Sequence, residues 1–421
     1  MSIKYLHILC PPVWEKLPPL GPAYLLSYLK NEKIDTYFYD LNALLYRVAP
    51  IDFKKNWTIN PSYVEVNFFQ YFFTNHYEYF ENLLNIIEKN KIKIVGFSFF
   101  NTNKNFCFKT INFIKKEFPE VKILAGGPEV FSFYVNNLFN YNLVDNFVVG
   151  EGEKALLDLL RNRGEKLIVF DSLKEIDFFP DFDEFDLSIY SRKKSLPLML
   201  GRGCINKCNF CSERLLYKYY KAKKLDLIQK SIHYYKNKYQ VKWFTFYDSM
   251  LNANLKIFER LVDELINYDI SWDAQMGIRS DMPEELFFKM KESGCVNLFI
   301  GLEAGSDSLL QKMNKNFTTK EAESFFIKLN KANIHFEVSL IVGYPDETED
   351  EFNETLLFLL RNKEFIPKIA QVSVFRNYAG VNARKITKIE EQLALKKLER
   401  MVDFFERNNF NYTKSYINNL I

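Results

Sequence analysis

Twice along this 421-residue chain, short apolar runs alternate with longer stretches whose apolar residues recur at helical spacing. The first series has runs at 3–9, 36–40, 92–98, 122–125 and 146–149, with helical patterns ending near Glu32, spanning about 106–118 and ending near Arg161. The second has runs at 196–200, 243–246, 272–276, 296–300, 336–342 and 370–375, each followed by a helical pattern. A strand joined to the next through a helix pairs with it in parallel, and the helices then cover the sheet. The expected fold class is therefore α/β. A doubly wound parallel sheet comes first, a partial (β/α)6 TIM-type barrel second, and an amphipathic helix over 387–409 last. The expected organisation is 1–170, a linker at 171–195, a barrel at 196–385 and a helical tail at 386–421. That linker is acidic, irregular and interrupted by Pro180.

Composition narrows the partners. A net charge of +3 is too small to point to nucleic acid. No apolar run is long enough to span a bilayer, and Met-Ser-Ile-Lys-Tyr at the start is no signal peptide, so a cytoplasmic, membrane-free setting is expected. The region 52–90 is unusually aromatic, with Asn-Phe-Phe-Gln-Tyr-Phe-Phe at 67–73. Its helical spacing over 77–89 reads as a packing helix first and as a ligand cover second.

Punctuation falls where function would need it. Cys10-Pro11-Pro12 and Pro18-Pro19-Leu20-Gly21 follow the first run, Asn101-Thr102-Asn103 follows Ser98, Gly126-Gly127-Pro128 ends the fourth, and Gly150-Glu151-Gly152-Glu153 ends the fifth. Open α/β sheets bind ligands at the carboxyl ends of their strands, where glycine lets backbone come close. No turn is a full dinucleotide fingerprint. His7 lies inside the first run, where packing explains it better than ligation.

Six cysteines do not make a disulfide framework, because three of them crowd into Gly201–Cys211 as Cys204, Cys208 and Cys211, spaced C-x3-C-x2-C. Such thiolates converge on soft metal centres, iron–sulfur clusters above all. A structural zinc site would want a fourth ligand, and neither cysteine nor histidine lies nearby to supply it. Three ligands leave one position open for something else. Cys10, Cys107 and Cys295 stand alone in apolar or helical surroundings and read as buried, inert thiols.

Cys204-x3-Cys208-x-Phe210-Cys211, with an aromatic before the third cysteine, resembles the signature of the radical S-adenosylmethionine enzymes. The resemblance implies a [4Fe–4S] cluster on the three cysteines, whose fourth iron is chelated by the amino and carboxylate groups of S-adenosylmethionine. The cofactor is then cleaved to a 5′-deoxyadenosyl radical. Further strand ends fit the same ligand. Asp248 suits an ammonium and Arg279 a carboxylate. Gly301-Leu-Glu303-Ala-Gly305 is similar to the family segment whose glutamate faces the ribose, and Val342-Gly343-Tyr344-Pro345 is similar to the turn on the adenine side. With Phe210, these are the expected S-adenosylmethionine contacts. The family's Pro-Gly-Thr turn stands here as Tyr378-Ala379-Gly380-Val381.

The N-terminal series is similar to the cobalamin-binding members of that family. The similarity implies a Rossmann-like domain holding cobalamin through Pro12, Gly21, Ser98, Gly126, Gly127, Gly150 and Glu151. No Asp-x-His-x-x-Gly segment places a histidine under cobalt, so a base-off cofactor without a histidine ligand is implied. The implied activity is C-methylation of an unactivated carbon in a small-molecule or peptide substrate, with a flavodoxin or ferredoxin as electron donor and catalytic groups left unassigned. Radical cyclisation or rearrangement without methyl transfer is the alternative. A methylthiotransferase would need three more N-terminal cysteines. A non-enzymatic cobalamin sensor would not need the intact cysteine loop.

Overall fold

The computed structural model of the protein describes residues 3–57, 68–161, 165–169, 175–217, 219–376, 378 and 380–414. The chain forms two compact units, Met1–Lys193 and Lys194–Ile421. Part of the aromatic run, 58–67, lies outside the described residues, as do 171–174 of the expected linker, Ala379 and the last seven positions.

The first unit is built on six parallel strands: β1 (Lys4–Leu9), β2 (Asp35–Asp40), β3 (Ile94–Ser98), β4 (Lys122–Gly126), β5 (Asn146–Val149) and β6 (Leu167–Val169). Their order is β2-β1-β3-β4-β5-β6. The winding reverses at β1, so helices cover both faces and a crevice opens between the carboxyl ends of β1 and β3. The strands are buried on both faces, which is why they read as continuous apolar runs rather than alternating ones. β6 was not expected. It has only three residues, none fully buried, at the sheet edge.

The aromatic region belongs to the core. Helices Phe68–Asn75 and Tyr77–Asn90 turn Phe68, Phe72, Phe80, Leu83 and Ile87 inward against Trp57 and Phe106. Rings meet mostly edge-to-face, such as Phe68–Phe72 at 5.1 Å and Phe73–Phe80 at 5.1 Å. The described part of the acidic segment, 175–193, is laid against this same unit. Phe178 packs on Tyr24 and Tyr28, Phe185 on Phe38, and Tyr190 donates to Asp40 Oδ2 at 2.7 Å. Asp40 also caps helix Leu41–Val48 by accepting from Ala43 N, while burial pushes its carboxyl up to about 6.

The second unit carries β7 (Ser195–Leu198), a two-stranded antiparallel ribbon of β8 (Gly201–Arg202) and β9 (Lys221–Ala222), then β10 (Trp243–Phe246), β11 (Ser271–Met276), β12 (Cys295–Glu303), β13 (His335–Val342) and β14 (Lys368–Val374). The main sheet runs β7-β10-β11-β12-β13-β14, all parallel and strictly in chain order. Each helix therefore crosses in the same sense, the winding of a partial TIM-type barrel. Thr318, Thr348 and Thr387 open helices Thr319–Lys331, Glu349–Arg361 and Lys388–Arg407 with capping boxes, each closed by a glutamate three residues on.

The last helix docks through Ala394, Lys397, Leu398, Met401 and Phe405. Lys397 donates to Glu347 Oε2 at 2.9 Å and to its carbonyl at 3.0 Å, and both side chains are at most one-tenth exposed. Beyond it, Asn411 and Thr413 pair with Ile369 of β14.

Two consequences are testable. A Cβ at Gly127, where φ is +99°, would lie 2.7 Å from Phe99 O and 2.9 Å from Phe99 N, whereas one at Gly126 meets nothing closer than 3.9 Å. Gly127→Ala is expected to cost roughly 2–4 kcal/mol and Gly126→Ala under about 1 kcal/mol, read as denaturant midpoints. Lys397→Met would strand the buried Glu347 carboxylate at a cost of about 3 kcal/mol. Burial already raises the Glu347 pKa against the pull of Lys397. Without the lysine it rises further above its unfolded value, so the loss is larger at pH 8 than at pH 5. Melting midpoints at the two pH values check this.

Candidate functional site

In the second unit, the ribbon after β7 presents the cysteine loop. A Cβ at Gly201 would meet Lys221 O at 2.8 Å, so the ribbon strands can lie this close only with glycine there. Gly203, at φ +80°, turns the chain off the ribbon into Cys204. Cys208 is buried, and Cys204 and Cys211 are half-buried. Burial raises all three thiols, and each is raised further by another of the three: Cys204 by Cys211, Cys208 by Cys204, Cys211 by Cys208. They are electrostatic neighbours. Among the described residues, no three His, Cys, Asp or Glu side chains converge on one metal ion. Three neighbouring thiols on one loop are a donor set that fits an iron–sulfur cluster.

A second segment, which sequence reasoning missed, clasps this loop. Asn209 N donates to Met313 O at 2.9 Å and Asn209 Nδ2 to Lys312 O at 2.9 Å. Asn314 Nδ2 donates to Lys207 O at 2.6 Å, and Asn316 Nδ2 to Asn206 Oδ1 at 3.1 Å. Between the two asparagines, Lys315 turns inward. Its ammonium donates to Gly301 O at 2.8 Å and to Glu303 Oε1 at 3.4 Å, and it sits 5.9 Å from the centre of the Phe210 ring. That places a largely shielded cation, its side chain 9% exposed, where it favours the thiolate forms of Cys204 and Cys208. Asn-Lys-Asn between two helices is the only sequence trace of this clasp, and it reads as an ordinary polar turn.

Lys315 joins two of the expected residues, Phe210 and Glu303. Glu303 ends β12 at φ +69°, beside a register shift against β13, and its Oε2 accepts from Ser339 at 3.3 Å. The other three are tied into the scaffold. Asp248, after β10, accepts from Leu200 N at 2.9 Å and Gly201 N at 2.6 Å, pinning the start of the ribbon, and burial pushes its carboxyl up to about 7. Arg279, after β11, donates to both oxygens of Asp281 and to Asn252 O and Ala253 O. Gly343, after β13, donates its N–H to Glu347 at 2.8 Å, and a Cβ there would lie 2.1 Å from Ala394 Cβ. Asn252 knits these loops, exchanging two hydrogen bonds with Gly277.

In the first unit, the crevice between β1 and β3 is framed by side chains buried beneath its lips. Asn103 Nδ2 donates to Cys10 O at 3.0 Å and Ser98 O at 3.1 Å, Thr102 donates to Pro12 O at 2.7 Å, and Asn42 accepts from Val13 N at 2.9 Å. Ser98 Oγ meets His7 Nε2 at 3.0 Å. Among the described residues nothing lies within 4 Å of where a Cβ at Gly21 would stand, and one at Gly126 would meet only Val148, at 3.9 Å and beyond. Gly127 and Gly150 hold positive φ, and Glu151 is buried. An open backbone at the carboxyl edge suits a large flat ligand such as a corrin. Of the four histidines, His7 is buried in the sheet, His76 lies between outer helices, and His233 and His335 belong to the second unit.

The family model described as the Radical SAM superfamily matches residues 198–359, and that described as the B12 binding domain matches 61–160. An uncharacterised methyltransferase of Pyrococcus horikoshii is 27% identical over 75% of this chain and 77% of its own. The bacteriochlorophyllide d C-12(1)-methyltransferase of Chlorobaculum tepidum is 24% identical over 53% of this chain, which spans about half (51%) of that enzyme. Among solved structures, the radical S-adenosylmethionine methyltransferase TsrM from Kitasatospora setae, with cobalamin and a [4Fe–4S] cluster bound, superposes with a TM-score of 0.71 at 15% identity, over 91% of this chain and 77% of that one. The cobalamin-dependent S-adenosylmethionine radical enzyme OxsB, with aqua-cobalamin bound, gives 0.67 at 15% identity, over 96% of this chain but only 56% of that one. At such identities the two structures speak for the fold. A thiol-bearing barrel sheet and a doubly wound sheet, each matched by its own family model, make this chain a radical S-adenosylmethionine enzyme with a cobalamin-binding domain.

Proposed function

We propose that the protein is a cobalamin-dependent methyltransferase acting on an unactivated carbon of a small-molecule or peptide substrate. The observation that carries the reading is the pairing, in one chain, of the clasped three-thiol loop with a second sheet whose switch-point edge is lined by small residues. When bound, the cluster, S-adenosylmethionine and cobalamin supply an electron, a carbon-centred radical and a methyl group.

The chain's own part is to hold and orient. Cys204, Cys208 and Cys211 are the ligands of the cluster in this reading. Lys315 offsets their negative charge and fixes Glu303, whose carboxylate is left at a strand end to accept from ribose hydroxyls. Phe210 packs against the buried cluster that includes Met313, Tyr344 and Phe375, which gives the loop an apolar flank. Asp248 and Arg279 act one step back, setting the ribbon and the loops after β10 and β11 through the bonds described above. Gly343 keeps its turn tight under the last helix. In the first unit Pro12, Gly21, Ser98, Gly126, Gly127, Gly150 and Glu151 line the edge assigned to cobalamin. An electron donor of the flavodoxin or ferredoxin kind and a reducing, cytoplasmic setting complete the reading. Nucleic acid has no place in it. Among the described residues no helix is long and apolar enough to cross a membrane.

Anaerobic reconstitution with iron, sulfide and hydroxocobalamin, followed by desalting and metal analysis, tests the assignment. About four irons and one cobalt per chain are expected. A Cys204→Ala, Cys208→Ala, Cys211→Ala variant should lose the iron and keep the cobalt; iron unchanged in it would sink the cluster assignment. Lys315→Met should keep its iron but shift the cluster's midpoint potential down, on the order of 50–100 mV, for loss of one largely shielded positive charge beside it. An EPR-monitored redox titration reads that shift, and Lys315→Arg should restore most of it.

A further inference from the structure

Tyr5 and His7 alternate onto one face of β1, and Gly96 and Ser98 onto one face of β3, with His7 opposite Gly96 in the parallel register. A Cβ at position 96 would lie 1.8 Å from Tyr5 Oη, so glycine there is what lets the phenol reach across β3. The Tyr5 hydroxyl then meets His7 Nδ1 at 2.8 Å, and His7 Nε2 meets Ser98 Oγ at 3.0 Å. All three residues are buried, Ser98 least so, and Ser98 is the last residue of β3, at the edge where the strand order reverses.

The direction of the protons follows from counting donors and acceptors. Burial holds His7 neutral, its pKa pushed down to about 3, so the ring has one N–H and one acceptor nitrogen. Burial also raises the Tyr5 phenol, which keeps its proton. The partner of that hydroxyl is Nδ1, and a buried O–H pointed at another N–H instead of an acceptor would forfeit about 1–3 kcal/mol. Tyr5 therefore donates to Nδ1, the ring proton sits on Nε2, and Nε2–H donates to Ser98 Oγ. The Ser98 hydroxyl keeps its own proton to give.

We propose that Tyr5 and His7 are positioning residues that present Ser98 as a hydrogen-bond donor to a carbonyl oxygen of the corrin's amide side chains at the β1–β3 edge. The proposal rests on the reading that cobalamin binds this edge. It gives His7 a role that neither packing nor cobalt ligation describes, because the histidine acts through Ser98 from beneath the site.

Two measurements decide it, and the first needs no cofactor. In the full chain labelled with 15N-histidine, which has four histidines, the ring nitrogen shifts of His7 should report the Nε2–H tautomer from pH 6 to 8. An Nδ1–H tautomer or an imidazolium overturns the relay. In the second, hydroxocobalamin binding is followed by its absorbance. Ser98→Ala should weaken binding ~5- to 10-fold, the worth of one hydrogen bond. Tyr5→Phe should weaken it in the same direction, since the ring proton is no longer held on Nε2. The double variant should be no weaker than Ser98→Ala alone, and Ser98→Thr should bind like the wild type. Tyr5→Phe binding like the wild type, or losses that add in the double variant, overturns the proposal. A wild-type chain that binds no cobalamin overturns the cofactor reading and the ligand named here, while the tautomer still decides the relay.

Discussion

Parallel pairing is the constraint on which both sites depend. When every strand of a sheet runs the same way, all carboxyl ends arrive at one edge, and the backbone beyond each must turn before its helix begins. The turns gather side chains from segments a hundred residues apart without any of those segments being local to one another. In the first sheet this brings Pro12, Ser98, Gly126 and Gly150 to one edge. In the second it brings Asp248, Arg279, Glu303 and Gly343 to the ends of four successive strands, beside a cysteine loop that follows the strand before them. The order of the strands separates the two outcomes. Reversal at β1 opens a crevice in one sheet, while unbroken order gives the other a barrel's curl.

Turns at such an edge leave many backbone groups without a sheet partner, and each buried one must find another. This is where most of the polar side chains near the sites are used. Asn103 gathers two carbonyls, Asp248 two amides, Arg279 two carbonyls and a carboxylate, and Asn252 both backbone groups of Gly277. Such groups hold loops in one conformation before any ligand arrives, so less ordering is left for binding to drive. Lys315 stands between the two roles. Its hydrogen bond to Gly301 O is scaffold, and its charge stands beside Glu303 and the thiols.

What was legible in the sequence was periodic or local. Strand–helix alternation located the strands of both large sheets apart from β6, and three cysteines in eight residues located the loop they share. The partner of a side chain was not. Asp248 and Arg279 have the right charge for a zwitterion, and only the fold reveals that backbone amides and Asp281 hold them. The clasp at 312–316 touches the cysteine loop across about a hundred residues and leaves no periodic mark. β6 is too short and too exposed to stand out. Residues 175–193 look like a linker because their apolar residues, Phe178, Phe185 and Tyr190, follow no regular spacing, yet each finds a ring or a carboxylate on the first unit.

Glycines show why position alone cannot separate structure from binding. In the sequence they all look alike, as places where backbone comes close to something. What that something is differs from one to the next. At Gly127 it is the backbone of Phe99, at Gly343 the last helix through Ala394, at Gly96 the phenol of Tyr5, and at Gly201 the opposite ribbon strand. Each of these is explained by the protein itself, with φ above +70° at 127 and 343 adding a backbone reason. Gly21 and Gly126 are different: among the described residues nothing lies within 4 Å of where a Cβ at Gly21 would stand, and one at Gly126 would make only ordinary contact with Val148, at 3.9 Å and beyond. Alanine would fit at both positions, and at Gly21, in the first turn of helix Leu20–Asn31, it is the better helix former. The edge that holds Gly21 and Gly126 therefore leaves its backbone uncrowded, whereas the edge that holds Gly343 is crowded by the last helix and has charge and thiols around it.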